Sequence, residues 1–274
     1  MRLLLACLAT ALSVTAAPAQ DRRASHCIAV AEAPGVEYIH RASFAAPLSD
    51  FTVRLNYVAH ATFLIEAPGG TTIATDYTGF LGTTDHVPTV VTMNNAHSTH
   101  FTNTPDPRIP HVLRGWGDGV GPADHYVEIG EIRVRNVPTD IRSRFGDVAR
   151  PGANSIFVFE VAGLCIAHLG HLHHIPTEAQ FAALGRMDVV MAPVDGGYTL
   201  DLASMIGVLK RARASIVIPM RWFNQMGLER FLAGMADEFA IEVAGEGYTE
   251  VSLRTLPDRP TIRVLSPRWL RDAD

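Results

Sequence analysis

The chain has 274 residues, 47% of them hydrophobic and 19% charged, with a formal net charge of -5 and a pI near 6.2. That length suits one large domain or two small ones, and the ordinary composition excludes a disordered chain. The scattered basic residues exclude a nucleic-acid binder, because phosphate neutralisation needs clustered Lys and Arg.

Residues 1–19 read as a signal peptide. Arg2 supplies a positive start, residues 3–14 form a short apolar stretch, and Ala17-Pro18-Ala19 gives the small-x-small pattern a signal peptidase cuts. The stretch is too short for an ordinary membrane-spanning helix, and no later segment is apolar enough for one. The expected mature protein is exported, to the periplasm or beyond the cell. Residues 20–50 read as an N-terminal extension and 51–274 as the main domain. Export leaves Cys27 and Cys165. A disulfide between them is open in an oxidising compartment. The favoured reading is instead a buried strand thiol at 165 and a free thiol at 27, since spacing alone cannot bring two cysteines together.

From residue 51 the pattern is strand after strand. Apolar runs at 53–58 and 62–66 flank a break at Ala59-His60-Ala61, and Ala67-Pro68-Gly69-Gly70 is turn chemistry before a third run at 71–75. Residues 89–93 form a fourth strand, with Pro88 at its entry. Residues 102–124, rich in Pro, Gly and Asp, read as long loops. Another strand or hairpin fits 126–137, and runs at 155–161 and 164–169 flank the hairpin signal Ala162-Gly163. Strands and helices then alternate: helix 177–187, strand 188–194, helix 200–212, strand 215–220, helix 228–239 and a short strand at 241–243. The expected fold is α+β, with two sheets covered by helices on the outside.

Several of the 12 histidines cluster, and the chemistry is expected there. His97 and His100 follow an apolar strand in a loop too polar for a core, and imidazole is a common zinc ligand. A denser cluster, His168-Leu169-Gly170-His171-Leu172-His173-His174, again follows a strand, and Gly170 permits a turn that brings His171 towards the strand end. Two further strand ends are Val194-Asp195-Gly196-Gly197-Tyr198-Thr199 and Arg221. Gly196 and Gly197 allow close backbone approach to a ligand, and the helix that follows them can hold an anion. Open sheets bind ligands beyond their strand ends, so these segments are expected to converge.

The order of these segments resembles the metallo-β-lactamase-fold hydrolases, and within them the group related to ascorbate-6-phosphate lactonase. The resemblance runs from Leu55 to Arg221 and rests on five places: the opening hairpin from Leu55 to Glu66; Thr75-Asp76; Asn95-Ala96-His97-Ser98-Thr99-His100, where the family has H-x-H-x-D-H; Ala167-His168-Leu169-Gly170-His171, where it has a strand-ending G-D; and Val194-Asp195-Gly196-Gly197 with Val217-Ile218-Pro219-Met220-Arg221, which normally read P-V-G-G and I-P-M-H. It implies an αββα sandwich with two zinc ions at one edge and Asp76 bracing the metal loop.

The departures bear on the metals. Asn95, Thr99, His171 and Arg221 stand where the family has ligands, and Val137-Pro138-Thr139-Asp140 offers Asp140 where a histidine is expected. A guanidinium stays protonated and cannot ligate a metal. The expectation is therefore one zinc ion, two being open, held by His97, His100 and His171 with Asn95, Asp140, His173 or His174 as fourth contact. The second charge would come from Arg221. Such a site would hydrolyse a small, anionic ester, lactone, amide or phosphate through metal-bound hydroxide. Thr99 and Tyr198 would donate hydrogen bonds, Arg221 would clamp the anion, and His173 or His174 would relay a proton. The alternative is a non-catalytic relative that binds a metal or an anion there.

Overall fold

The computed structural model describes residues 25–29, 46–143 and 145–272, so the signal-peptide reading and most of the N-terminal extension lie outside the described residues. After a short helix α1 (His26–Ala29), strand β1 (Val53–Ala59) shows how the sheets face each other. Val53, Leu55 and Tyr57 alternate into the core between the sheets. Arg54, on the other face, is fully buried and paired with Glu66 and Glu250, its direct cross-strand neighbours.

The chain continues through β2 (Thr62–Glu66), β3 (Thr72–Ala74), β4 (Gly82–Thr83), β5 (Val90–Met93), β6 (His111–Arg114) and β7 (Tyr126–Ile129). Next come β8 (Ile132–Arg142), β9 (Val148–Val161), β10 (Leu164–His168), α2 (Glu178–Leu184), β11 (Val189–Pro193) and α3 (Leu202–Ala212). It ends with β12 (Ile216–Met220), α4 (Gln225–Met235), β13 (Ala240–Val243), β14 (Tyr248–Val251), β15 (Thr261–Val264) and β16 (Leu270–Arg271). One sheet has the order β14-β1-β2-β3-β5-β6 and the other β13-β15-β12-β11-β10-β9-β8-β7. The strands β3, β5 and β6 of the first sheet run parallel, as do β10, β11, β12 and β15 of the second. Their carboxyl ends meet at one edge, where Ser155 N–H donates to the Asn94 carbonyl at 3.1 Å and Asn95 bridges Asn154.

The fold class is α+β, as expected. Of the outer layers, one is helical: α2, α3 and α4 cover the second sheet through Leu184, Met205, Leu209, Phe231 and Met235. The outer face of the first sheet is covered, among the described residues, by loops through Tyr77, Leu81, Phe101, Ile109 and Trp116. Residues 102–124, expected as loops alone, contain β6, whose pairing with β5 is set by a distant neighbour and not by local pattern. The local pattern gives no sign of β4, β14, β15 or β16 either. Helix α4 starts at Gln225 because the Asn224 side chain caps it by accepting from Gly227 N–H at 2.8 Å. No described helix is long and apolar enough to cross a membrane.

Cys27 and Cys165 form a disulfide, correcting the expectation of two free thiols. The fold brings their Cα atoms to 5.7 Å across a sequence separation of 138.

Candidate functional site

Asp76 follows β3 with φ 42°, and its side chain organises the loop after β5. One carboxylate oxygen accepts from Asn94 N–H at 2.9 Å and the other from His100 Nδ1 at 2.6 Å, all within the interior. Burial raises the Asp76 pKa, but His100 and the Asn94 N–H outweigh it and hold the carboxyl below its usual range. Asp76 thus sits where a brace of this loop is expected.

Arg221 leaves β12 with φ 61°, its backbone N–H donating to the His60 carbonyl and the Tyr57 hydroxyl, each at 3.2 Å. Its side chain turns inward and is only 4% exposed. Nε donates to Asp195 Oδ2 at 2.8 Å, while Nη1 donates to His60 Nε2 at 3.0 Å and to His100 Nε2. Three non-glycine residues of this cluster, His60 (φ 50°), Asp76 and Arg221, occupy the left-handed region, which clusters at functional sites. Because the guanidinium can only donate, both imidazoles accept, and His100 carries its proton on Nδ1 towards Asp76. Both nitrogens of His100, expected as a metal ligand, are thus engaged, one by Asp76 and one by Arg221.

Asp195 is committed as fully. Its Oδ1 accepts from the N–H groups of Gly197, Tyr198 and Thr199 and from the Thr199 hydroxyl, at 2.9 to 3.2 Å. Gly196 takes φ 72° within this turn, so the glycines serve the backbone path around the carboxylate. Tyr198 is 71% exposed, its ring edge against Phe223. The start of α3, expected to hold an anion, is capped by its own Asp201, which accepts from Ser204 N–H at 3.0 Å.

The second strand-end cluster is arranged differently. Gly170 has φ 59°, and a Cβ there would lie 2.2 Å from Asn94 Nδ2, so only glycine makes the turn that sends His171 inward. His171 packs against His97, His100 and His173, with ring centroids 5.4, 4.6 and 4.5 Å away. His97 is exposed, and its Nδ1 meets the Thr99 hydroxyl at 3.1 Å. His171 Nδ1, His173 Nε2 and His174 Nε2 are buried without hydrogen-bond partners. His173 Nδ1 accepts from Arg142 N–H at 3.2 Å, so in the neutral ring the proton sits on Nε2, which can donate but not ligate. Burial, with Arg142 and His174 adding to it, pushes the His173 pKa down to about 4; burial with His100 and Arg221 pushes His171 lower still. His168 is a core residue whose Nε2 donates to the Ala61 carbonyl at 2.7 Å.

Among the described residues, the Asp140 and Asn95 side chains make no hydrogen bond to these rings. Asp140 lies at a register shift in β8, where its carboxylate accepts from Gly152 N–H at 2.8 Å. Expected in the ligand set, it lines a neighbouring cavity of 660 Å³ with Trp116, Arg150 and Gly152. Asn95 Oδ1 is 3.5 Å from Arg150 Nη2. Three residues that the sequence did not single out belong to the site: His60, Arg142 and Arg150. His60 occupies the tight link between β1 and β2, a position that marks a turn but gives no sign of its neighbours. Arg142 Nη2 donates to the Gly197 carbonyl; among the described residues neither Arg142 nor Arg150 meets a carboxylate.

Two metal ions do not fit these residues, because Arg221 holds the free nitrogen of His100. One ion lacks a formed grip as well. Among the described residues, no three of the site's histidine and carboxylate groups bring ligand atoms within 4.8 Å of one another.

Residues 54–221 match the model of the β-lactamase superfamily domain, and the chain belongs to that family. Its fold is similar to a candidate Zn-dependent hydrolase of the metallo-β-lactamase superfamily from Thermotoga maritima, with 24% identity, a TM-score of 0.54 and coverage of 78% of this chain and 98% of that one. A candidate metal-dependent hydrolase from Parabacteroides distasonis matches at 14% identity and a TM-score of 0.52, covering 68% and 89% of the two chains. These likenesses establish the metallo-β-lactamase fold. None of the curated proteins matches the chain.

Proposed function

We propose that the strand-end site binds a small anionic molecule, a carboxylate or a phosphate ester. The observation that carries this is the state of Arg221. Asp195, His60 and His100 take Nε and Nη1, while Nη2 has no partner among the described residues. The buried Nε2–H of His173 is a second unpaired donor, and Arg142 and Arg150 add unpaired positive charge nearby. Guanidinium and imidazole N–H groups held in a partly dry site suit an oxyanion. Burial, then Arg221, pushes the His60 pKa down to about 4, which makes it a weak general base near neutral pH and favours binding over metal-free hydrolysis.

A second reading keeps hydrolysis of a small ester, lactone, amide or phosphate with one zinc ion. The orphaned nitrogens of His171 and His174 favour it, since buried polar atoms normally have partners. Titration calorimetry with inorganic phosphate and acetate, beside elemental analysis of the purified chain, separates the two. Anion binding at one site, weakened at least about tenfold in Arg221→Met, with well under one metal ion per chain, supports the first. About one ion per chain, lost in His171→Ala together with hydrolysis of a model ester, overturns it in favour of the second. Two ions per chain overturn both.

A further inference from the structure

Far from this site, the disulfide has a third partner. A ring nitrogen of His26 lies within 4.8 Å of the sulfurs of Cys27 and Cys165, and both cysteines are buried. His26 Nδ1 lies 3.2 Å from Glu160 Oε2. Glu160 is held as a carboxylate by Arg133 Nη1 at 2.6 Å and Arg135 Nε at 2.9 Å. A carboxylate on Nδ1 places the ring proton there, which leaves Nε2 with its lone pair. That nitrogen is buried and has no hydrogen-bond partner. His173 has the opposite tautomer, so His26 is the better ligand of the two.

We infer that reduction of the Cys27–Cys165 disulfide opens a Cys2His site for a soft or borderline metal ion, zinc or copper(I), with His26 Nε2 as the third ligand. A dithiol reductant supplies two electrons and two protons, the S–S bond breaks to two thiols, and the reductant leaves as its own disulfide. The ion then binds both sulfurs as thiolates, and two protons pass to solvent. Tetrahedral zinc with Zn–S bonds of about 2.3 Å needs sulfurs only ~3.7 Å apart, a small separation from the bonded state. The S–S bond is not the sole tie between the Cys27 segment and the main domain. Arg186 N–H donates to the Cys27 carbonyl at 2.7 Å, and Cys165 lies within β10. Arg186 Nη2, 3.4 Å from Cys165 Sγ, favours the thiolate. His26 and Glu160 also line a cavity of 850 Å³, which gives an ion a way in. The fourth position is left to water.

The test is cobalt(II) uptake by the full chain, before and after reduction with a dithiol that is then removed without air. The oxidised protein is the baseline, so any ion at the strand-end site cancels. About one additional cobalt ion per chain on reduction is expected, with thiolate-to-cobalt charge-transfer absorption that zinc abolishes. His26→Ala keeps both cysteines, and should bind the added ion about 10–100-fold more weakly. No added ion on reduction overturns the proposal, as does a His26→Ala protein that binds cobalt as tightly as the parent with the same absorption.

Discussion

The two halves of the strand-end site obey opposite rules. Around Arg221, the designated donors and acceptors meet in one chain: Asn94 to Asp76, Asp76 to His100, His100 to Arg221, Arg221 to Asp195, and Asp195 to the turn at Gly197 to Thr199. Around His171, the rings touch, and the buried His171 Nδ1, His173 Nε2 and His174 Nε2 have no partners. The first half is built for rigidity, since a satisfied buried network fixes one arrangement. The second tolerates an energetic cost that a folded protein normally avoids, which is the mark of a place kept for something else.

The largest expected break in this contrast is Asp195→Ala. It leaves the Arg221 guanidinium buried without its counter-charge and should cost about 3–5 kcal/mol in urea unfolding. A loss under about 1 kcal/mol would mean that the paired half does not hold the fold. Arg221→His attacks the same half from the other side. It frees His100 Nε2 and adds an imidazole, so elemental analysis should find an ion that the parent does not hold at this position. Equal metal content in both proteins would break the account of Arg221.

Acid should separate the groups by window. The folded-state pKa of His60 is about 4 against an ordinary 6.5, so the unfolded chain takes up the proton first, and stability falls as pH drops from 6.5 towards 4. Asp76 and Asp195 are held below their usual value of 3.8, the pull of His100 and Arg221 respectively outweighing burial. Their contribution is fully present above that value and is lost as pH falls through the lowered folded pKa. Thermal melts from pH 8 to 3 should therefore show one decline below pH 6.5, to which His171 and His173 add, and a second below pH 3.8; Asp195→Asn should soften only the second. The smallest effect is expected in the open half. His171→Leu removes a buried nitrogen without a partner and should raise stability by about 1 kcal/mol, read from urea midpoints. A marked loss would show that His171 is paired after all.

Legibility in the sequence followed the range of the interaction. The first three strands, the hairpin at Ala162-Gly163 and the helix between β11 and β12 follow from period and turn chemistry, so they were visible. Helix α4 was found with shifted ends, because its cap is set by one side chain, Asn224. The segments that carry His100, His171, Asp195 and Arg221 are expected to converge, and they do. What each does there was not readable. Asp140 stands in sequence among the expected ligands, yet at the irregularity in β8 its carboxylate accepts from Gly152. Spacing alone favours free thiols at Cys27 and Cys165, because a separation of 138 residues carries no sign of their meeting.

By itself, the sequence determined the sheet-forming segments, the fold class, and the presence of histidines and one arginine where metal ligands would be expected. Those are properties of residue type and spacing, and they survive any detail of packing. Only the tertiary structure decided that Arg221 points inward, that His100 gives its last nitrogen to it, and that His173 carries its proton on the wrong nitrogen for a metal. Those depend on which hydrogen-bond partner arrives from another strand, within a few tenths of an ångström, and no local pattern encodes that.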